Sequence, residues 1–431
     1  MYPGDFFSVT VIVLVGAPYK CCQLTAFSEL DVMDSRIQKL AKTLVGRETS
    51  FLSSTIKDRS EQLHELFYGK KLLISGAAGF IAGQTIETIL TFEPSYIGLV
   101  DISENGLAEL VRRIRTSHHA NSSIDIEPWL VDIASPNFDR LINTLEGIDV
   151  NLNFAASKHV RTERNIPSIL RMLETNILGT CRILETVGET FPDCRHFMVS
   201  TDKACNPSNL MGVSKLVMEK ILFSSQFSVT TARFANVAFS SGSLLESWLI
   251  RIQENQPLVV PRDTWRYFVT PEEAGHICAL AISAPAGAGV IPIFEETDAI
   301  SLENALEIFL GSFNLVPTEV ETVSEGLMHL GSPGRNTSSY PVIRTSRDTS
   351  GEKRIESFTG PSDEVSDWIE GLDLFRPAER TMVNTDFLDW LRMIGGNPNL
   401  GINRLEIQRR LTEVCPEYQQ EISELLLDNR A

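Results

Sequence analysis

From Asp34 onward apolar residues recur at helical spacing, with Ile37, Leu40, Ala41 and Leu44 at i, i+3, i+4 and i+7. Ile56, Leu63 and Leu66 continue the pattern and predict a second helix ending near Gly69. The period then changes. Lys71 to Ser75 is a short apolar run, the mark of a buried strand. A glycine-rich turn, Gly76 to Gly83, and a helical run, Gln84 to Leu90, follow at once. Tyr96 to Val100, Trp129 to Ile133, Val150 to Phe154 and His196 to Val199 are four further strand-like runs, with helical segments between them. Strands alternating with helices predict a parallel, doubly wound sheet, because parallel neighbours need a crossover. Residues 330–362 are rich in Gly, Ser, Pro and Thr and read as loop. Phe387 to Ile394 and Leu405 to Leu427 read as helices. No internal repeat or low-complexity tract interrupts the chain.

Composition narrows the class. The 431 residues predict two or three domains. With 43% apolar and 22% charged residues the chain is an ordinary globular one, not a disordered, collagenous or coiled-coil sequence. Acids number 56 and bases 38, a formal net charge of −18, which disfavours nucleic acid as the main partner. Seven cysteines occur without a CxxC pair or a Cys/His zinc spacing. No metal is therefore expected, and a reducing cytoplasm is the simplest setting. No stretch reaches the ~20 apolar residues that span a bilayer. Phe6 to Pro18 comes nearest, and no positive charge precedes it. Two readings stay open for it: a short strand, or a segment preceding a true start at Met33.

The glycine turn carries chemistry. Its pattern is GxxGxxA, with Gly76, Gly79 and Ala82, and Phe80 and Ile81 open the helix. Glycine lets the backbone turn tightly and approach a pyrophosphate, to which the helix start offers free N–H groups. Asp101 ends the second strand, 22 residues after Gly79. A carboxylate there accepts from the adenosine ribose hydroxyls and repels a 2′-phosphate, so NAD is expected over NADP, which remains possible. Asp132, beside Ile133, is a candidate acceptor for the adenine amino group. Ala155 and Ala156 are small enough to let backbone near the cofactor.

Further along stand Ser157-Lys158-His159-Val160, Asn176-Ile177-Leu178-Gly179, Ser200-Thr201-Asp202-Lys203, Met211-Gly212-Val213-Ser214-Lys215, Arg233-Phe234-Ala235-Asn236-Val237 and Arg266-Tyr267-Phe268. In this order they resemble the extended short-chain dehydrogenase/reductase family, and within it the UDP-N-acetylglucosamine 4,6-dehydratase group of polysaccharide biosynthesis. The resemblance covers residues 70–355. It implies a Rossmann-type fold, tightly bound and recycled NAD, and a nucleotide-sugar substrate. It also implies that Asp202 is the general acid toward the C6 hydroxyl. Lys203 would be the base at C5, needing a lowered pKa, and Thr201 would bond the C4 oxygen. Lys215 would hold the nicotinamide ribose, and Asn176 would help order that lysine. Lys158, Asn236 and Arg266 are candidates for the diphosphate and nucleotide, and His159 for the sugar pocket.

The chain departs from the family pattern in three places. Met211 replaces the usual tyrosine, and a thioether takes no proton, so the base for the C4 hydroxyl stays open. Arg161-Thr162-Glu163-Arg164 replaces Pro-Leu-Met-Glu beside the sugar pocket, and Ala235 replaces a glycine. The expected organisation is an N-terminal helical extension (1–68, with 1–32 uncertain), an NAD(P)-binding Rossmann domain (69–240), a substrate-binding part interleaved with it (241–355) and a C-terminal helical extension (356–431). Alternatives are a nucleotide-sugar epimerase, acting at C4 or with C5 inversion, and a catalytically silent dinucleotide-binding protein. A homo-oligomer is expected from the family.

Overall fold

The computed structural model describes residues 29–116, 124–158, 163, 165–332, 336–346 and 353–418. The Phe6–Pro18 segment, His159 and the end of the last expected helix lie outside them. The chain divides into two compact units, Met1–Ile37 and Gln38–Ala431. A helix, Glu29–Val45, runs across the division.

The second unit is built on a nine-stranded sheet. Six strands come from its first half: β1 (Lys71–Ser75), β2 (Tyr96–Asp101), β3 (Asp125–Leu130), β4 (Val150–Asn153), β5 (Arg195–Val199) and β6 (Ser228–Ala232). All six are parallel, in the order β6-β5-β4-β1-β2-β3. Four of the five residues of β1 are buried, and β4 is buried throughout, as strands covered on both faces must be. The order reverses at β1, between β2 and β4. The carboxyl ends of those strands therefore open the crevice where such sheets bind ligands.

Two expectations are corrected at the far end. The C-terminal extension is not wholly helical: Asp363–Ile369 and Leu372–Pro377 form a hairpin that joins the main sheet antiparallel through Ala288–Pro292, itself parallel to β6. Gly371 sits in the tight turn at φ +82°, which favours a residue without Cβ. The 330–362 loop also contains a strand, Ser339–Thr345. It lies between Leu258–Pro261 and Val316–Glu319 in a small parallel sheet. Elsewhere the first-half strands match closely, except that β3 ends at Leu130. Asp132 and Ile133 thus follow the strand.

Helices form after Asn384 as Thr385–Gly396 and Arg404–Val414; the second stops at a C-cap on Cys415, short of the expected end at Leu427. Phe387, Trp390, Leu391, Ile407 and Leu411 pack on Ile169, Met172, Leu173, Leu210 and Val213. They thereby brace the two helices that carry Asn176 and Lys215. On the other side the capped helix Pro271–Ser283 lies against the helix Phe80–Leu90, so close that a Cβ on Gly275 would sit 2.5 Å from the Gln84 carbonyl.

Candidate active site

The glycine turn is shaped as its sequence predicts. Gly76 has φ +69°, and a Cβ there would lie 2.4 Å from the Ala155 nitrogen, so the loop can close on the end of β4 only as glycine. Gly79 is the N-cap of the helix Phe80–Leu90, with no side chain bonding its amides. Phe80 and Ile81 are half-buried and pack on the core beneath. Asp101 accepts from the Ala78 amide (3.0 Å) and the Ser103 amide (2.9 Å), fixing the turn from the next strand. Asp132 accepts from the Ala134 amide (2.9 Å) and pairs with Arg171 at 2.6 Å. Ala155 and Ala156 follow β4 and are half-buried.

Asn176 lies on a π-turn, Glu174–Leu178, within the helical stretch after Ile166. Its side chain is buried and fully engaged. It accepts from the Ser157 amide (3.0 Å), and donates to the Ser157 carbonyl (3.1 Å) and the Ser214 hydroxyl (2.8 Å). One amide thus ties the loop after β4 to the helix Leu210–Ser224, beside Lys215. Lys215 is buried and donates to the Val199 carbonyl at 3.0 Å. Burial pushes its pKa down to about 8, although Glu219 opposes the shift.

Beyond β5 the chain makes a single turn, Asp202–Ala204, capped by Thr201. The Thr201 hydroxyl donates to Asp202 Oδ1 (2.7 Å), and Lys203 Nζ donates to the same oxygen (3.1 Å). Asp202 is buried. Opposing influences meet at Lys203. Burial alone would lower its pKa. The carboxylates of Asp202 and Glu356, against the opposing charge of Arg266, more than reverse this and raise it. Lys203 therefore rests as an ammonium ion.

Met211 is buried in the apolar cluster with Leu391 and Leu411, so its side chain fills core. Its amide donates to Glu163 Oε1 at 2.9 Å. Asn236 donates side-chain and backbone N–H groups toward the Tyr267 carbonyl. Lys158 is exposed in the segment that follows β4. Arg266 is buried, and its Nη1 donates to the carbonyls of Trp265, Lys353 and Arg354.

Gly76, Asp101, Asn176, Asp202 and Lys215 thus follow or flank strands of one parallel sheet. A family model described as polysaccharide biosynthesis protein matches residues 72–322, more than half of the chain. The chain belongs to this family. An uncharacterized membrane protein of Methanocaldococcus jannaschii is 30% identical over 222 residues, 50% of this chain and 63% of that one. A UDP-N-acetylglucosamine 4,6-dehydratase (inverting) of Campylobacter jejuni is 29% identical over 192 residues, 42% of this chain and 53% of its own. The X-ray structure of Pen from Bacillus thuringiensis superposes with a TM-score of 0.59 at 21% identity, covering 78% of this chain and 99% of that one. At that identity the likeness is one of fold. The chain spans 63%, 38% and 39% of the length of three curated relatives it matches.

Three supporting residues were given no role from the sequence. Glu219, one turn after Lys215, accepts from Ser200 (2.5 Å) and forks with Arg233 at 2.8 and 2.6 Å. Arg233 also meets Asp363 at the edge hairpin (2.5 Å). The Lys215/Glu219 spacing of four was visible, but not what Glu219 would meet. Glu163 and Glu356 are buried carboxylates in irregular segments, where no periodicity marks them. Among the described residues no helix is long and apolar enough to cross a membrane, and no group of His, Cys, Asp and Glu could hold a metal ion.

Proposed function

We propose that this protein is a nucleotide-sugar 4,6-dehydratase that converts a UDP-N-acetylhexosamine, with UDP-N-acetylglucosamine the first candidate, to its 4-keto-6-deoxy derivative. The observation that carries the reading is the Thr201–Asp202–Lys203 array at the carboxyl end of β5, on a sheet whose first turn is a tight glycine turn. Simple C4 epimerisation needs no acid and base for C5 and C6, whereas elimination needs both. The inverting dehydratase of C. jejuni among the relatives points the same way.

The residues present fit NAD. The Gly76 cradle and the uncapped helix start at Gly79 suit a pyrophosphate. Asp101 suits the ribose hydroxyls, Asp132 the adenine amino group and Lys215 the nicotinamide ribose. When bound, NAD supplies the acceptor for the C4 hydride and returns it to C6. Thr201 bonds the C4 oxygen, and Lys158, Asn236 and Arg266 serve the diphosphate and nucleotide. One proton moved across the 3.1 Å contact from Lys203 to Asp202 turns the resting ion pair into an amine and a carboxylic acid. The amine takes H5, which the C4 ketone has acidified. The acid protonates the departing C6 hydroxyl, which leaves as water; with hydride returned to C6, the Lys203 ammonium gives a proton to C5, and the proton that the C4 hydroxyl gave up restores the ammonium.

The test is incubation with UDP-N-acetylglucosamine in deuterated water, followed by proton NMR. A new C6 methyl signal with deuterium at C5 supports elimination, and the C5 coupling reports retention or inversion. A C4 isomer with its C6 methylene intact replaces this reading with epimerisation. Protein that retains NAD but turns over no UDP-, GDP- or dTDP-sugar is the silent binding protein.

A further inference from the structure

The segment after the small sheet returns across the catalytic turn. Arg266 donates to the Lys353 and Arg354 carbonyls at 3.0 and 3.4 Å, and the Trp265 amide donates to the Arg354 carbonyl at 2.8 Å. Cys205 Sγ donates to the Ser357 carbonyl at 2.6 Å, and Arg233 Nη1 to the Phe358 carbonyl at 3.1 Å. Lys353 Nζ donates to the Asn206 carbonyl. These anchors seat Glu356 against the Asp202–Lys203 turn. Its side chain is 5% exposed, and Oε1 lies 3.9 Å from Lys203 Nζ. Among the described residues Oε2 is buried with no hydrogen-bond partner, and the Lys353 ammonium lies 3.8 Å from it.

A buried carboxylate with an unbonded oxygen is costly unless charge nearby compensates it. Here the compensation is the very lysine assigned to proton transfer. We propose that Glu356 is a positioning residue for the reaction: it closes a carboxylate–ammonium–carboxylate array around Lys203 and sets how tightly Lys203 holds its proton. Three charged groups face Lys203, namely Asp202 from its own turn, Glu356 from the returning segment and Arg266 from the strand Trp265–Arg266. Lys203 and Lys353 face Glu356. The two carboxylates oppose loss of the Lys203 proton, and Arg266 favours it. With Asp202 engaged by Thr201, Glu356 is the member of the array that a substitution can neutralise without removing the acid.

The inference takes its catalytic meaning from the dehydratase reading, so its test has an arm that needs no substrate. Competitive acetylation with acetic anhydride across pH, read by peptide mass spectrometry, gives the titration midpoint of Lys203 in the folded protein. Its side chain is 28% exposed, enough for a small reagent. In Glu356→Gln the midpoint falls by about one pH unit, a tenfold weaker hold on the proton. In Glu356→Asp, which keeps the charge, it stays near the wild-type value. Lys353→Met removes the cation facing Glu356 and moves the midpoint up, which decides the matter should Glu356→Gln fail to fold. The limb of the pH–rate profile belonging to Lys203 moves in parallel. An unchanged midpoint in folded Glu356→Gln, or no rise in Lys353→Met, overturns the array. The shift without turnover of any nucleotide sugar leaves the array standing and removes the dehydratase reading; turnover without the shift does the reverse.

Discussion

Replacing Lys215 by Met should make the protein more stable at neutral pH while abolishing activity. The buried ammonium keeps one backbone partner, the Val199 carbonyl at 3.0 Å, and its pKa falls from 10.5 to about 8. At about 1.4 kcal/mol per unit, carrying that charge costs roughly 3 kcal/mol of folding free energy. For a lysine depressed in the folded state, the whole cost applies below pH 8. It then shrinks as pH rises through 10.5, above which both states are neutral. At pH 10 less than about 1 kcal/mol remains. Methionine has similar length and no charge, but leaves the carbonyl unbonded, which takes back about 1 kcal/mol. Lys215→Met should therefore gain about 2 kcal/mol at pH 7, and the gain should vanish near pH 10. Urea unfolding of both proteins at pH 7, 8.5 and 10, without added nucleotide, measures the difference, and groups common to both cancel. A variant less stable at pH 7, or a difference that does not change with pH, would refute the account of Lys215 as a strained buried cation held for the ligand.

Three further outcomes are expected. Gly76→Ala places a Cβ 2.4 Å from the Ala155 nitrogen on a φ of +69°; it should cost at least about 2 kcal/mol and weaken NAD binding tenfold or more, by thermal unfolding and calorimetric titration. Glu219→Gln leaves the buried Arg233 with Asp363 as its one carboxylate partner, and frees Ser200 from a charged acceptor. Denaturant unfolding should show a loss of about 3 kcal/mol, and wild-type stability would sink the idea that this pair locks the helix Leu210–Ser224 to β5. Asp101→Asn removes the charge set against a 2′-phosphate, so the ratio of NADP to NAD dissociation constants should fall by about tenfold; an unchanged ratio rules out that role.

Local features of this fold are readable from the chain. Short apolar runs, a glycine turn and the helix after it predict the first half of the sheet, because strand burial, φ above zero and helix starts depend on near neighbours. The Thr201–Asp202–Lys203 turn was singled out by its resemblance to a family motif, since an adjacent Asp and Lys read locally as a solvated ion pair. Tertiary structure decided the rest. The hairpin Asp363–Ile369/Leu372–Pro377 reads weakly as sequence, since its outer strand is an edge with mostly exposed side chains. Its place in the sheet depends on pairing with Ala288–Pro292, some 80 residues earlier. Lys203 shows the difference most plainly. The sequence puts a lysine next to an aspartate, and chemistry asks it to be an amine. Its actual proton affinity depends on Glu356, 153 residues away, which folding brings to 3.9 Å. Charge acts through space at a low local dielectric, and distance in space is what a linear pattern does not contain.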